Sequence, residues 1–265
     1  MHMFTLKEIL EKTACSELTV EEAESLIRLQ AIVELEGIAK IDYNREERKG
    51  VPEIILAENK SVQDTVDIAI KMFEAKGKVI ISRCTVQHTE ALRAIVFTLS
   101  DAVCQINKKA NIVVIKKKDY PVANSGGKIG LLTAGTSDIS VAEEAKVIAE
   151  EMGCNVYAGY DVGVAGIHRV LEPLKNLIIK DVDVIIVVAG REGALPSVVA
   201  GMVNVPVIAV PTSNSYGFGG KGVGTLMAML QSCPLGIAVV NIDSGINAGA
   251  IATLIANRTA KFRKT

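Results

Sequence analysis

Two rhythms of apolar and polar positions divide this chain. In the first, amphipathic stretches alternate with short strands. Thr19-Val20-Glu21-Glu22 reads as a capping box with Thr19 as N-cap. Ala23, Leu26, Ile27, Ala31, Val33 and Leu35 then recur at helical spacing and predict a helix to about Gly37. Strands are predicted over 39–42, 53–57, 78–82, 104–106 and 111–115. A charged loop is expected over 43–50, with helices opening at Ser61 and after Arg83-Cys84-Thr85. These elements make a small α/β unit.

The second rhythm begins at Lys128 and runs strand, loop, helix, with short connections. Apolar runs at 129–132, 155–159, 184–188, 207–210 and 237–240 predict five strands. The run at 184–188 has no polar alternation, as expected of a strand covered on both faces of a parallel sheet. Ser140-Val141-Ala142-Glu143 predicts a second capping box. Five βα repeats predict a doubly wound parallel sheet with helices on both faces. Between the two rhythms, Lys116-Lys117-Lys118 through Gly126-Gly127 reads as a linker whose lysines only solubilise it. The predicted division is 1–118, a linker 119–127, a sheet domain 128–257 and a basic tail 258–265.

A net charge of −1 argues against a nucleic-acid partner and against a polybasic membrane binder. No apolar run approaches the roughly 18 residues of a membrane span. Five scattered cysteines without a C-x-x-C pair imply reduced thiols in a cytoplasmic setting. The spread of charge says more than its total: between Gly193 and Asn257 only Lys221 and Asp243 are charged. So much uncharged surface implies burial between subunits, and hence an obligate homo-oligomer built through the sheet domain.

Ligands of open parallel sheets bind beyond the carboxyl ends of the strands. Arg191 and Glu192, directly after Ala189-Gly190, stand there and are either catalytic or a solvated turn. Thr136, Ser137 and Asp138 lie between a strand and a helix N-terminus, where free amides favour phosphate. Asp138 would repel phosphate but can accept a ribose hydroxyl; alternatively, Ser137 and Asp138 only cap the helix. The glycine loop around Lys221 lacks the Ser/Thr of a Walker loop, which excludes that route to ATP hydrolysis, although it can still close over an anion. His2, His88 and His168 show no metal-ligand spacing, and His168-Arg169 lies just past a strand end. Cys233 precedes Pro234 in a turn, either as a small packed residue or as a nucleophile. Arg45, Arg48 and Arg83 are anion contacts or simply solvated surface.

The stretches TAGTSD, GVAGIHR, ALPSVVAG, VPVIAVPTS and CPLGIAVVNIDSGINAGAIA resemble the phosphoribosylaminoimidazole carboxylase superfamily, in register over about residues 126–256. That resemblance implies a flavodoxin-like domain assembled as an octamer. The purine enzymes carry a proton-shuttling histidine before the Leu-Pro of the third motif, where this chain has Ala194, and a thioether or apolar residue where it has Cys233. Both departures, and the stretch AKIDYNREERKGVPEIILAENK, resemble the nickel-pincer cofactor biosynthesis carboxylases, the LarB family.

The resemblance implies carboxylation of nicotinate adenine dinucleotide at pyridinium C5, using CO2 or bicarbonate, then phosphoanhydride cleavage that releases AMP. It implies Cys233 as the nucleophile adding at C4 and Glu192 as the base. Thr136, Ser137 and Asp138 would hold phosphate and ribose. Asp161, His168 and Arg169 would flank the phosphoanhydride, while Gly190, Arg191 and Lys221 line the substrate. Mg²⁺ would be held mainly by substrate and water. An aminoimidazole ribonucleotide carboxylase or mutase is the alternative within the superfamily, and a nucleotide-sensing module is the alternative outside it.

Overall fold

The computed structural model describes residues 6–30, 32–35, 39–42 and 45–263. Helix α1 spans Leu6–Ala14 and α2 spans Val20–Gln30. The first capping box forms as the sequence predicts: the Glu22 amide donates to Thr19 Oγ1 and the Thr19 amide to Glu22 Oε2. The helix stops earlier than expected. Ile32–Leu35 is strand β1, paired antiparallel with β2, Ala39–Asp42. Val33 and Leu35 occupy alternate strand positions, a two-residue spacing that also fits the end of a helical stripe. Ala31, Gly37, Tyr43 and Asn44 lie outside the described residues. The expected charged loop instead contains the short helix α3, Arg45–Lys49.

The four-stranded N-terminal sheet is built from β3 (Ile54–Leu56), β4 (Lys78–Ser82), β5 (Ala102–Asn107) and β6 (Ile112–Lys117), in the order β3-β4-β6-β5. It is mixed: β3 and β4 run parallel, and β6 is antiparallel to both β4 and β5. Helix α4 (Val62–Lys76) is capped by the Ser61 hydroxyl and ends at left-handed Gly77. It packs with α5 (Val86–Ile95) over one face of the sheet, around Ile55, Met72, Phe73, Ile81 and Leu92.

Strands β7 (Lys128–Thr133), β8 (Asn155–Gly159), β9 (Val184–Ala189), β10 (Val207–Pro211) and β11 (Ile237–Val239) form the second sheet. Every pairing in it is parallel, and the order is β11-β10-β9-β7-β8. This is the flavodoxin-type order, so the protein is α/β with a five-stranded doubly wound sheet behind a smaller mixed one. Helices α7 (His168–Ile179), α8 (Leu195–Ala200) and α9 (Val223–Leu230) cover one face. Helices α6 (Ile139–Glu151) and α10 (Gly245–Arg263) cover the other.

Helices α6 and α10 also serve the first sheet. Ile148 of α6 joins Ile80, Ile112 and Val114, with Ile246 and Ala250 of α10 packed against them. One helical layer is therefore shared by both sheets. The two helices approach closely because α10 presents glycine: a Cβ at Gly245 would lie 2.1 Å from the Val141 carbonyl oxygen, and one at Gly249 2.6 Å from that of Ala145. Part of the uncharged C-terminal stretch is thus explained within one chain, by this small-residue face. Arg258, Lys261 and Arg263 continue α10, and Arg263 pairs with Asp183 at 2.7 Å.

Two sequence expectations fail at this shared layer. Ser140 is exposed and caps nothing; Glu143 instead accepts from Asn107 Nδ2 at 2.7 Å and from the Tyr160 hydroxyl, one contact on each side of α6. Lys116 does more than solubilise a linker. It lies opposite Lys78 in the β4–β6 ladder, and its ammonium donates to Glu151 Oε1 at 2.7 Å. Lys78 donates to the Glu151 carbonyl at 2.7 Å, with Oε2 a further charge contact at 3.4 Å. All three side chains are at most 14% exposed, so water screens the contacts little. Replacing Glu151 by leucine would leave two buried ammonium groups without their counter-charge. Glu151→Leu is expected to lower unfolding stability by about 3 kcal/mol, read by urea denaturation.

Candidate active site

In a sheet of this order the crevice opens where neighbouring strands send their connections to opposite faces, here between β7 and β9. The loops after both strands meet there, and one carboxylate ties the loop after β7 to the end of β10. Asp138 is 4% exposed, and its Oδ2 accepts the Gly135 amide at 2.9 Å. Its Oδ1 accepts the Thr212 hydroxyl at 2.8 Å, from the end of β10. Gly190 passes so close that a Cβ there would lie 2.8 Å from Thr212 Oγ1, so only glycine leaves this bond undisturbed. On the other side, Thr133 Oγ1 accepts the Asp161 amide at 3.0 Å, tying in the loop after β8. Asn214 spans from the β10 loop to the Ser137 carbonyl at 2.7 Å.

These ties enclose a cleft of about 260 Å³. Ser137, Asp138, Arg169, Gly190, Arg191 and Glu192 all line it, as does Ala194. Arg191 and Glu192 are exposed, and Arg191 has a left-handed backbone with φ 55°. Such a conformation in a residue with a side chain costs of order 1–3 kcal/mol and is concentrated at functional sites. The Arg191 carbonyl accepts from the Thr225 hydroxyl. Its guanidinium lies 3.6 Å from the centre of the Tyr216 ring and donates to the Tyr216 hydroxyl.

Five other predicted residues fall outside this lining: Thr136, Asp161, His168, Lys221 and Cys233. Asp161, left-handed at φ 57°, stands one contact away through its 3.1 Å ion pair with Arg169. His168 is exposed at the first position of α7. Lys221 is exposed in the loop after β10, also with φ 57°. Cys233 is exposed in the turn between α9 and β11, where neighbouring Ser232 accepts from Ser197 Oγ of α8 at 2.8 Å. It contrasts with Cys84 and Cys154, which are buried; burial pushes the Cys84 thiol up to about 12. Within one subunit, therefore, the sulfur and Glu192 do not share the cleft. Among the described residues no group of three His, Cys, Asp or Glu side chains is arranged to hold a metal ion. No helix among them is long and apolar enough to cross a membrane.

Residues 128–264 match the AIR carboxylase family, and residues 33–118 match the LarB/PurE-like N-terminal domain. The chain is 45% identical over 253 residues to an uncharacterized protein of Methanocaldococcus jannaschii, covering 95% of this chain and 96% of the relative. An N5-carboxyaminoimidazole ribonucleotide mutase of the same organism is 34% identical over 47% of this chain and 75% of its own length. One from Thermotoga maritima is 31% identical over 48% of this chain and 74% of its own length.

Sequence reasoning missed Thr212 and Asn214, although a hydroxyl and an amide just past a predicted strand end were a usable signal. It also missed Glu144, for which no local signal exists, because its surroundings come from both sheets. Glu144 is 8% exposed on α6, facing Arg83 and Glu58 of the N-terminal unit and Asp243 beyond β11. Burial pushes its carboxyl up to about 7 from an ordinary 4.5; Arg83 opposes the shift and Asp243 adds to it. The folded state therefore holds the proton more tightly than the unfolded one. That contribution to stability is intact below pH 4.5 and is lost as pH rises through about 7. Urea titrations across this window should show wild type losing on the order of 3 kcal/mol relative to Glu144→Gln. Parallel pH profiles for the two proteins would refute the assignment.

Proposed function

The chain belongs to the AIR carboxylase family and carries the LarB/PurE-like domain ahead of it, and from that premise we propose that it carboxylates the pyridinium ring of nicotinate adenine dinucleotide and then cleaves the phosphoanhydride to release AMP. The observation that carries this reading is the pairing of the two domains in a chain that has Ala194, not histidine, ahead of Leu195-Pro196. An imidazole-borne proton shuttle is unavailable at that position, and a different way of activating the ring carbon is required.

A pyridinium C5 is electron-poor and will not attack carbon dioxide. A thiolate adding at C4 turns the ring into an enamine whose C5 is nucleophilic. C5 then bonds to CO2, a base removes the C5 proton, and the ring nitrogen lone pair expels the thiolate from C4. The net change replaces a ring hydrogen by carboxylate and releases one proton. A thiolate suits the cycle because it both adds and leaves. Cys233 is assigned this role, and its exposure leaves it open to reaction. Glu192 is the base, an effect worth roughly 10²–10⁴ in rate.

The reading includes assembly as a homo-oligomer, an octamer by analogy with the superfamily. Exposed Leu230 and Leu235 flank Cys233, and a second copy covering them would bring the thiol to the rim of a Glu192 cleft. Ser137, Arg169 and the glycine-lined turn at Gly190 hold the ribose phosphate, with Asp138 accepting a ribose hydroxyl on its remaining lone pairs. Thr136, Asp161, His168 and Lys221 reach the phosphoanhydride from outside the lining. Mg²⁺ would be held by the substrate's phosphates and water, where it would neutralise the phosphoanhydride's charge.

Purified protein incubated with nicotinate adenine dinucleotide, bicarbonate and Mg²⁺ should yield AMP and a ring carrying one further carboxylate, read by mass spectrometry. Cys233→Ser should abolish carboxylation, and Glu192→Gln should slow it by roughly 10²–10⁴. Near-normal carboxylation by Cys233→Ser would rule out the covalent route. Turnover of N5-carboxyaminoimidazole ribonucleotide instead would favour the activity named for the M. jannaschii and T. maritima relatives, and turnover of aminoimidazole ribonucleotide with bicarbonate would favour a purine carboxylase. Binding without product would favour a sensor.

A further inference from the structure

A second and larger cleft, of about 860 Å³, opens between the two units. Its walls are strand ends from both sheets: Arg83 follows β4, Ser213 follows β10 and Asp243 follows β11. The N-termini of α4 and α5 open onto it through Ser61, Val62, Thr85 and Gln87. First-turn amides of such helices have no carbonyl of their own helix to bond. Lys60 stands beside them without an acid at ion-pair distance among the described residues. Asn214 lines this cleft and the smaller one, so the two adjoin at that side chain.

Glu144 supplies the independent observation. It lines the cleft from α6, it is more than nine-tenths buried, and its Oε2 meets no hydrogen-bond donor. A buried acceptor left this way is destabilising, and a ligand bringing a hydroxyl or amine would satisfy it. The nearest cation is committed elsewhere: Arg83 donates to Glu58 at 2.5 Å and to the Asp243 carbonyl at 3.3 Å. Arg83, Asn59, Asn111 and Asp243 are all left-handed and all line this one cleft, so its rim is held in costly backbone conformations. Val62 and Val141 add apolar wall.

An anion site, an acceptor that lacks a donor and an apolar wall together match a purine mononucleotide. We infer that the interdomain cleft binds the adenylate half of the dinucleotide, with its phosphate at Lys60 and the α4 and α5 N-termini and a ribose hydroxyl or exocyclic amine on Glu144. The pyridinium half then lies in the smaller cleft, and the phosphoanhydride passes Asn214. The identity of the ligand rests on the function proposed above; the existence of the site does not.

AMP and nicotinate mononucleotide, titrated calorimetrically into the full chain, test this without any turnover. Wild type should bind both at once. Lys60→Glu, an exposed change, and Glu144→Ala, which removes a buried carboxyl whose Oε2 has no donor, should each weaken AMP at least tenfold and leave nicotinate mononucleotide within twofold. Competition between the two ligands, no AMP binding by wild type, or undiminished AMP binding by both folded variants would overturn the inference. If AMP binding falls as expected while carboxylation is never detected, the cleft stands and the proposed reaction fails.

Discussion

Asp138 is the constraint on which the candidate site depends. A carboxylate this buried is tolerated only when donors surround it, and here they come from two different loops, the Gly135 amide and the Thr212 hydroxyl. Hydrogen bonds to an ionised group contribute about 1.5–3 kcal/mol each. Their structural effect is larger than their energy: they fix the ends of β7 and β10 around the passing backbone of Gly190, which places Arg191 and Glu192 at the cleft. The residue most easily read as a ligand contact is first a fastening.

The shared helical layer sets where ligands can enter. Because α6 and α10 pack against both sheets, the carboxyl edges of the two units open on the same side of the molecule. Glu143, Glu144 and Glu151 succeed one another along α6 with different fates. Glu143 is satisfied at both oxygens by Asn107 and Tyr160, and Glu151 sits between the two ammonium groups of Lys78 and Lys116, whereas Glu144 keeps an oxygen with neither a donor nor a lysine beside it.

The sheet domain was legible because its strands are buried on both faces and therefore announce themselves as unbroken apolar runs, as at Val184–Ala189. Local caps such as Thr19 and Ser61 were legible too, since side chain and amide lie three residues apart. What escaped was long-range. Ser140 and Glu143 satisfy a capping pattern locally, yet Asn107 and Tyr160 claim Glu143 from a distance. Val33 and Leu35 fit a helix by spacing but belong to a strand, because their pairing partners lie on the next segment. At the site, residues near strand ends converged as expected. Cys233 stands outside the cleft that Glu192 lines, and its place in a turn before Pro234 gave no local signal of that.

A crystal structure of the oligomer with nicotinate adenine dinucleotide bound tests the central claim most directly. The account predicts the pyridinium ring in the cleft between the Gly135 and Gly190 turns, a Cys233 sulfur against ring C4, Glu192 at the C5 edge, and Asp138 still bonded to Thr212. A ring bound elsewhere, or one in that cleft with no cysteine sulfur near it from any subunit, would contradict it.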